Sequence, residues 1–245
     1  MTGPLLKVDR VGKRFGGFVA LDGINLSVAP GERLGLIGPN GSGKSTLVNC
    51  ICGTLQNETG SVQFEGRKMD GLAAHQRTIL GLARSFQLPR PFHSMSVADN
   101  LRIPLLYAVK ARAGTHLSAA ELNDHCVEYL RLVGLDHKAR RLPRDLTQVE
   151  MRKLELARAM ASHPKLLISD EAMAGLSSSE VDEVLDLLMS LAGHDITVIM
   201  IEHIMQAVMR FSDRVMCLEA GRIIAIGTPN EVMANQRVQE AYIGT

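Results

Sequence analysis

Tryptophan is absent from this chain, and aromatic residues of all kinds make up only 4%. A surface that stacks on successive nucleobases needs such rings, so a single-stranded nucleic-acid binder is not expected. An excess of charge of one sign is missing too. Lys plus Arg number 27 and Asp plus Glu 26, a formal net charge of +1. That balance argues against a basic nucleic-acid surface and against an acidic tail. No apolar run approaches the roughly 20 residues that cross a bilayer. The longest strong one, Ile196 to Ile201, is strand-sized. Met1 to Arg10 has no basic segment followed by an apolar one, so no secretory signal is expected. Cysteine is sparse: Cys50, Cys52, Cys126 and Cys217 form neither a disulfide framework nor zinc-spaced doublets, and reduced thiols in a core are expected. No repeat with a period of roughly 20–50 residues is visible.

What remains is a folded chain. Hydrophobic residues make up 46% and charged ones 22%, over 245 residues, the size of one large domain or a domain with a small lobe. Short β-like runs open it: Leu5–Val11, Ile24–Val28 and Arg33–Ile37, punctuated by Ala29-Pro30-Gly31-Glu32. A helical pattern follows Gly43 through Leu47, Val48, Ile51 and Cys52, and Ser61–Phe64 reads as another strand. From about Ser94 to Met160 the period is helical. Ser118 and Glu121 form a capping box before the stripe Leu122, Cys126, Leu130 and Val133, and Gly134 marks the stop. The last third alternates again. Leu166–Ser169 reads as a buried strand, Ser177 and Glu180 cap a helix carrying Val181, Val184, Leu185, Leu188 and Leu191, and Ile196–Ile201 is a parallel-type strand. Arg214–Leu218 and Arg222–Ile226 flank Gly221 as a hairpin. The expectation is an α/β fold with a mostly parallel sheet and an inserted helical lobe.

Two motifs carry the chemistry. Gly38-Pro39-Asn40-Gly41-Ser42-Gly43-Lys44-Ser45-Thr46 has the spacing of a phosphate-binding loop, between a strand and a helix. Its glycines let backbone N–H groups approach phosphate oxygens, and the helix N-terminus adds positive potential. Lys44 reaches the outer phosphates, and the Ser45 hydroxyl can ligate Mg²⁺. The strand Leu166–Ser169 then ends in Asp170-Glu171. Asp170 is placed to hold Mg²⁺ directly or through water, and Glu171 to polarise an attacking water as general base. Ser169 is unusual at a position that is commonly apolar.

In this order and separation the two motifs resemble the nucleotide-binding subunit of ABC transporters. The resemblance implies ATP and Mg²⁺ as bound groups, an ATPase reaction and further roles. Phe15, before Gly16-Gly17, matches the aromatic that stacks on adenine. Gln87 matches the glutamine that touches Mg²⁺ and faces the membrane subunits. His203 matches the histidine that bonds the γ-phosphate and the attacking water. The implied layout is a single ATP-binding domain: a P-loop NTPase core over 1–93 and 161–245, an antiparallel β part at its N-terminal end, and a helical subdomain over 94–160.

Smaller fragments narrow the resemblance to the ATP-binding subunits of branched-chain (hydrophobic) amino acid importers. They are Phe64-Glu65-Gly66-Arg67, Gly71-Leu72 with His75, Gly81 to Gln87, Pro91-Phe92 with Met95 and Val97, Glu202-His203 with Val208-Met209, Asp213-Arg214-Val215, Gly227-Thr228-Pro229, and Glu240-Ala241-Tyr242-Ile243-Gly244. The resemblance implies two membrane permease subunits, a second ATP-binding subunit (a different chain, with a homodimer as the alternative), and indirectly a periplasmic binding protein. It implies no nucleic acid, and a peripheral place on the cytoplasmic face of the cell membrane. Phe86, Pro89, Phe92 and Met95 would line the groove for a membrane-subunit helix, with core packing as the alternative.

One element departs from the family pattern. The signature loop, usually Leu-Ser-Gly-Gly-Gln, falls at Leu146-Thr147-Gln148-Val149-Glu150. Both glycines are replaced, and a β-branched Val149 should keep a facing phosphate away or shift the backbone. Ala172 stands where a proline is usual, and Ser177 where Asp or Asn is usual. The resemblance then implies an asymmetric pair, with the stronger hydrolytic site on this chain's own phosphate loop. Two other readings stay open: a nucleotide-binding regulatory subunit with weak hydrolysis, and a soluble ABC ATPase outside transport.

Overall fold

The computed structural model describes residues 3–109, 111, 118–192 and 196–243. Its elements in chain order begin with β1 (Leu6–Phe15), β2 (Phe18–Val28), β3 (Arg33–Ile37), α1 (Lys44–Cys52), β4 (Thr59–Phe64), β5 (Arg67–Lys68), α2 (Ala74–Leu80) and β6 (Leu82–Ser85). Next come α3 (Val97–Pro104), a π-helical turn (Leu105–Val109), α4 (Ala119–Leu132), α5 (Gln148–Met160), β7 (Leu166–Asp170) and α6 (Ser178–Ala192). The chain closes with β8 (Thr197–Ile201), α7 (Met205–Phe211), β9 (Arg214–Glu219), β10 (Arg222–Gly227), α8 (Pro229–Ala234) and α9 (Gln236–Ile243). It divides into two compact units: Met1–Arg77 with Asp195–Thr245, and Thr78–His194. The tail residue Gly244 lies outside the described residues.

The first unit holds two sheets. One is antiparallel, in the order β2-β1-β4-β5. β1 and β2 run longer than the alternation of apolar residues suggests. Register shifts between Val8 and Val11, and a left-handed Arg10 (φ 48°), break the period-two pattern without ending the pairing. In the other sheet β8, β3 and β9 are parallel and β10 closes a hairpin on β9. The four buried residues Leu34–Ile37 make β3 apolar on both faces, as expected of a central strand. Gly35 has no side chain because one would meet Ser212 Oγ at 2.6 Å and Val208 Cγ1 at 2.9 Å. Ile37, Val208, Val215, Cys217, Val232 and Val238 form one buried cluster beneath the end of β3.

The second unit pairs β6 with β7 in parallel, Ala83 opposite Leu167 and Ser85 opposite Ser169. Among the described residues no strand lies between Ser85 and Leu166, as the helical period implies. α4 opens on the expected capping box, with Ser118 Oγ accepting from the Glu121 N–H and Glu121 accepting from the Ser118 N–H. Cys126, Leu130 and Val133 are buried, and Gly134 takes a left-handed φ of 72° after the helix. α6 buries Val181, Val184, Leu185, Leu188 and Leu191, the five residues of its apolar stripe. At its start Glu180 accepts from both the N–H and the hydroxyl of Ser177. All four cysteines are buried and none is in a disulfide.

Candidate functional site

The phosphate-loop candidates and His203 lie in the first unit. The acidic pair, Gln87 and the signature region lie in the second. β3 delivers the chain into residues 38–43, and α1 begins at Lys44. Gly38 has φ 147°, and a Cβ there would lie 2.2 Å from the Leu218 carbonyl oxygen. Gly43 has φ 106° and a Cβ would lie 2.6 Å from the Ala20 carbonyl oxygen. Both positions therefore require glycine. Gly43 occupies the helix N-cap, and no side chain caps the first turn of α1, so its N–H groups suit an anion.

Lys44 is buried, and its Nζ donates to the carbonyls of Gly38 at 2.6 Å and Pro39 at 3.0 Å. This folds the ammonium back across the loop, over the concavity a phosphate chain would fill. The Gly38 N–H donates to the Tyr242 hydroxyl at 2.7 Å, so the Gly38 peptide is gripped from both sides. Burial, partly offset by that N–H, pushes the Tyr242 phenol up to about 12. Asn40, Gly41 and Ser45 are exposed. Phe15 ends β1 beside the Gly16-Gly17 turn and is 51% exposed, with Lys13 Nζ 5.6 Å from its ring centre. An apolar ring left in water at a strand end suits a stacking role better than a core role. His203 is exposed and lies two residues after the end of β8.

In the second unit, β7 places Asp170 and Glu171 at its end, as the sequence implies. Glu171 adopts φ 47°, a left-handed conformation that is strained for a residue with a side chain. Such strain concentrates where a side chain must be aimed. Gln87 Nε2 donates to Glu171 Oε2 at 2.5 Å. The carboxamide oxygen of Gln87 then points elsewhere. Arg84 Nη2 donates to Asp170 Oδ2 at 2.5 Å, within a pair whose side chains are 13% and 12% exposed. The Arg84 guanidinium also sits 5.2 Å from the Phe86 ring centre.

The oxygen donors fit Mg²⁺ in kind: a serine hydroxyl, a carboxylate and a carboxamide oxygen are all hard ligands. Among the described residues no group of three or more His, Cys, Asp or Glu could hold a metal by itself. A cation held by any of these donors would complete its coordination with phosphate oxygens and water, as Mg²⁺ commonly does.

The chain after Gln87 exposes apolar side chains. Phe86 is 41%, Leu88 68% and Phe92 42% exposed, so core packing does not account for them. Pro89 and Met95 are half-buried. Asn100, fully buried, pins this stretch, accepting from the Phe92 N–H at 2.8 Å and donating to the Phe92, Met95 and Ser96 carbonyls. Arg158 donates to the Arg90 carbonyl at 2.8 Å and covers the Phe92 ring at 5.2 Å.

The signature region is a helix start. Thr147 is the N-cap of α5: its hydroxyl accepts from the Glu150 N–H, and Glu150 Oε2 accepts from the Thr147 N–H at 2.8 Å. Glu150 also pairs with Lys138 at 2.6 Å. Burial opposes the charge, but Lys138 and the Thr147 donors outweigh it and hold the Glu150 carboxyl below the ordinary range. Gln148 and Val149 take helical positions in the first turn. The spacing Thr147-x-x-Glu150 is a legible capping box, and it carries more information than the lost glycines.

Known proteins are similar to this chain in sequence and in fold. A family model described as ABC transporter matches residues 21–174, and one described as branched-chain amino acid ATP-binding cassette transporter matches residues 222–245. The chain is similar over its full length to the high-affinity branched-chain amino acid transport ATP-binding protein LivG of Escherichia coli (strain K12), at 35% identity and 99% of that protein's length. It is 34% identical to BraF of Pseudomonas aeruginosa, with 100% of this chain and 99% of that one covered. A solved ATP-binding cassette of an ABC transporter in its ADP conformation superposes with a TM-score of 0.88, at 30% identity, covering 99% of both chains.

Proposed function

The chain belongs to the ABC transporter family of ATP-binding cassettes, and from that membership we propose that it hydrolyses ATP to power an importer of branched-chain or related amino acids. The end-to-end similarity to LivG and BraF, with the separate match over residues 222–245, carries this reading. The chain works as a single ATP-binding domain, with a core over 1–93 and 161–245 and a helical subdomain over 94–160. No helix among the described residues is long and apolar enough to cross a membrane. In this reading two permease subunits supply the path. A second ATP-binding subunit completes the pair, a periplasmic binding protein delivers substrate to the permeases, and the assembly sits on the cytoplasmic face of the membrane.

In this reading residues 38–46 cradle the phosphates and Lys44 swings from its two carbonyl acceptors to the β- and γ-phosphate oxygens. Phe15 stacks on adenine. Ser45, Asp170 and Gln87 hold Mg²⁺, which when bound neutralises charge on the phosphate oxygens. Glu171 accepts a proton from a water molecule as its oxygen attacks the γ-phosphorus, and the bond from that phosphorus to the bridging oxygen of ADP breaks. His203 donates to the γ-phosphate and steadies the water. Exposed Phe86, Leu88 and Phe92 present an apolar face to a permease helix.

The two sites of the pair differ. Each combines one chain's phosphate loop with the other chain's signature. Here Thr147 and Glu150 bond to each other, and the Glu150 carboxylate occupies the positive end of α5. That end is a poor receptor for a second anion. The stronger site is therefore the one on this chain's own Lys44, Asp170, Glu171 and His203. Reconstitution with both permeases and the second ATP-binding subunit tests the reading: amino-acid-stimulated ATPase activity supports it, and activity with no dependence on those chains contradicts it.

A further inference from the structure

We propose that Arg84 is a positioning residue that competes with the divalent cation for Asp170, and so sets how tightly that cation is held. The inference rests on the reading of Asp170 as a metal ligand. It starts from strand register. In the parallel pair Arg84 stands opposite Ile168, so its side chain shares a sheet face with residues 168 and 170. The reach of two residues brings Nη2 to Asp170 Oδ2 at 2.5 Å. One strand end thus delivers two contacts to the other: Arg84 to Asp170, and Gln87 to Glu171.

These two contacts are chemically unlike. Gln87 is neutral and leaves the charge of Glu171 intact. Arg84 carries a permanent positive charge and cancels that of Asp170 within a pair shielded from water. A divalent cation that takes Asp170 as ligand arrives next to this guanidinium and is repelled by it. Oδ2 keeps one lone pair beside the Arg84 contact, so Oδ1 is the oxygen more open to the cation. The Phe86 ring centre lies 5.2 Å from the guanidinium, a cation–π contact that helps hold it beside the carboxylate. Arg84 therefore lowers the affinity of the carboxylate for metal and favours Oδ1 as the oxygen offered. A site that must load and release metal-nucleotide in each cycle gains from a weak grip.

The test is Mn²⁺ binding to the full-length chain with saturating ADP, read as free Mn²⁺ by electron paramagnetic resonance. Arg84→Gln removes the charge and should bind Mn²⁺ roughly tenfold more tightly. Arg84→Lys keeps the charge and should stay close to wild type. A brace that only holds the fold would give weaker or unchanged binding in Arg84→Gln, and that result overturns the inference. Asp170→Asn separates the two layers. Unchanged Mn²⁺ affinity there overturns the metal-ligand reading and this inference with it; a loss there, with no gain in Arg84→Gln, overturns this inference alone. If Arg84→Gln does not fold, the wild-type chain decides. Its Arg84 side-chain N–H resonances, assigned by comparison with Arg84→Lys, should shift when Mg²⁺ is added to the ADP-bound chain, and resonances that do not move overturn the competition.

Discussion

The side-chain amide of Gln87 donates to the Glu171 carboxylate at 2.5 Å, across the ends of two parallel strands. Glu171 is also held at a left-handed φ of 47°. In the proposed reaction Glu171 is the general base, which must be positioned before it can take a proton, and both features fix its position. Gln87→Ala should lower kcat of the assembled complex by roughly ten- to a hundredfold while ATP affinity changes less. Steady-state kinetics with separate kcat and KM check it, and an effect on KM alone would remove Gln87 from the aiming of Glu171.

Gly38 is held at its N–H by Tyr242 and at its carbonyl by Lys44. Tyr242→Phe keeps the ring and removes the acceptor. It should cost about 1–3 kcal/mol, the range for leaving a buried donor unsatisfied. Urea unfolding of the isolated chain measures this, and stability equal to wild type would show that the hydroxyl is dispensable.

Glu150 closes the start of α5 on itself. Replacing Gln148 and Val149 by glycine, with Glu150→Gln, should loosen that closure and raise nucleotide trapping at the partner's site. Photo-crosslinked nucleotide on the partner reports it. Unaltered trapping would remove the asymmetry.

Asp213 takes three contacts from Arg33: the backbone N–H at 3.0 Å, Nε at 3.3 Å and Nη2 at 2.5 Å. The Arg33 hydrogen bonds outweigh burial and hold its carboxyl below the ordinary range. A depressed carboxyl stabilises the fold above its unfolded value, near 3.9, and the contribution is lost as pH falls through the lower folded value. The pair is partly exposed, so its worth is at most about 1 kcal/mol. The stability gap between wild type and Asp213→Asn should stay level from about pH 7 to 5 and shrink below about pH 4.

Burial pushes the Cys50 and Cys217 thiols up to about 11, and Cys126 upward as well. None of the four thiols should react quickly with a disulfide reagent at about pH 8 in the native chain. All four should react once the chain is unfolded in denaturant. A fast-reacting thiol in the native chain would contradict the packing of α1, α4 or β9.

Local spacing made the phosphate loop and the acidic pair legible, because each motif sits inside one strand-and-turn segment. The capping box at Ser118, the α6 stripe and the hairpin at Gly221 were legible for the same reason. The full lengths of β1 and β2 were not, since a left-handed Arg10 and shifted register hide the alternation. The Arg84–Asp170 pair and the Tyr242 grip on Gly38 join residues far apart in sequence, and no periodicity announces them; the Asn100 pin is local, but an asparagine inside a helical period does not announce which carbonyls it will hold. The exposure of Leu88, 68%, is not legible, because composition does not separate an exposed apolar residue from a buried one. The capping box at Thr147 is legible in its own spacing, since it lies within one helix start.

The most direct measurement is single-site hydrolysis by Glu171→Gln in the complex assembled with its permeases and second ATP-binding subunit. The account predicts that ATP still binds and turnover falls at least about a hundredfold. Turnover at the wild-type level, with ATP bound, would contradict it.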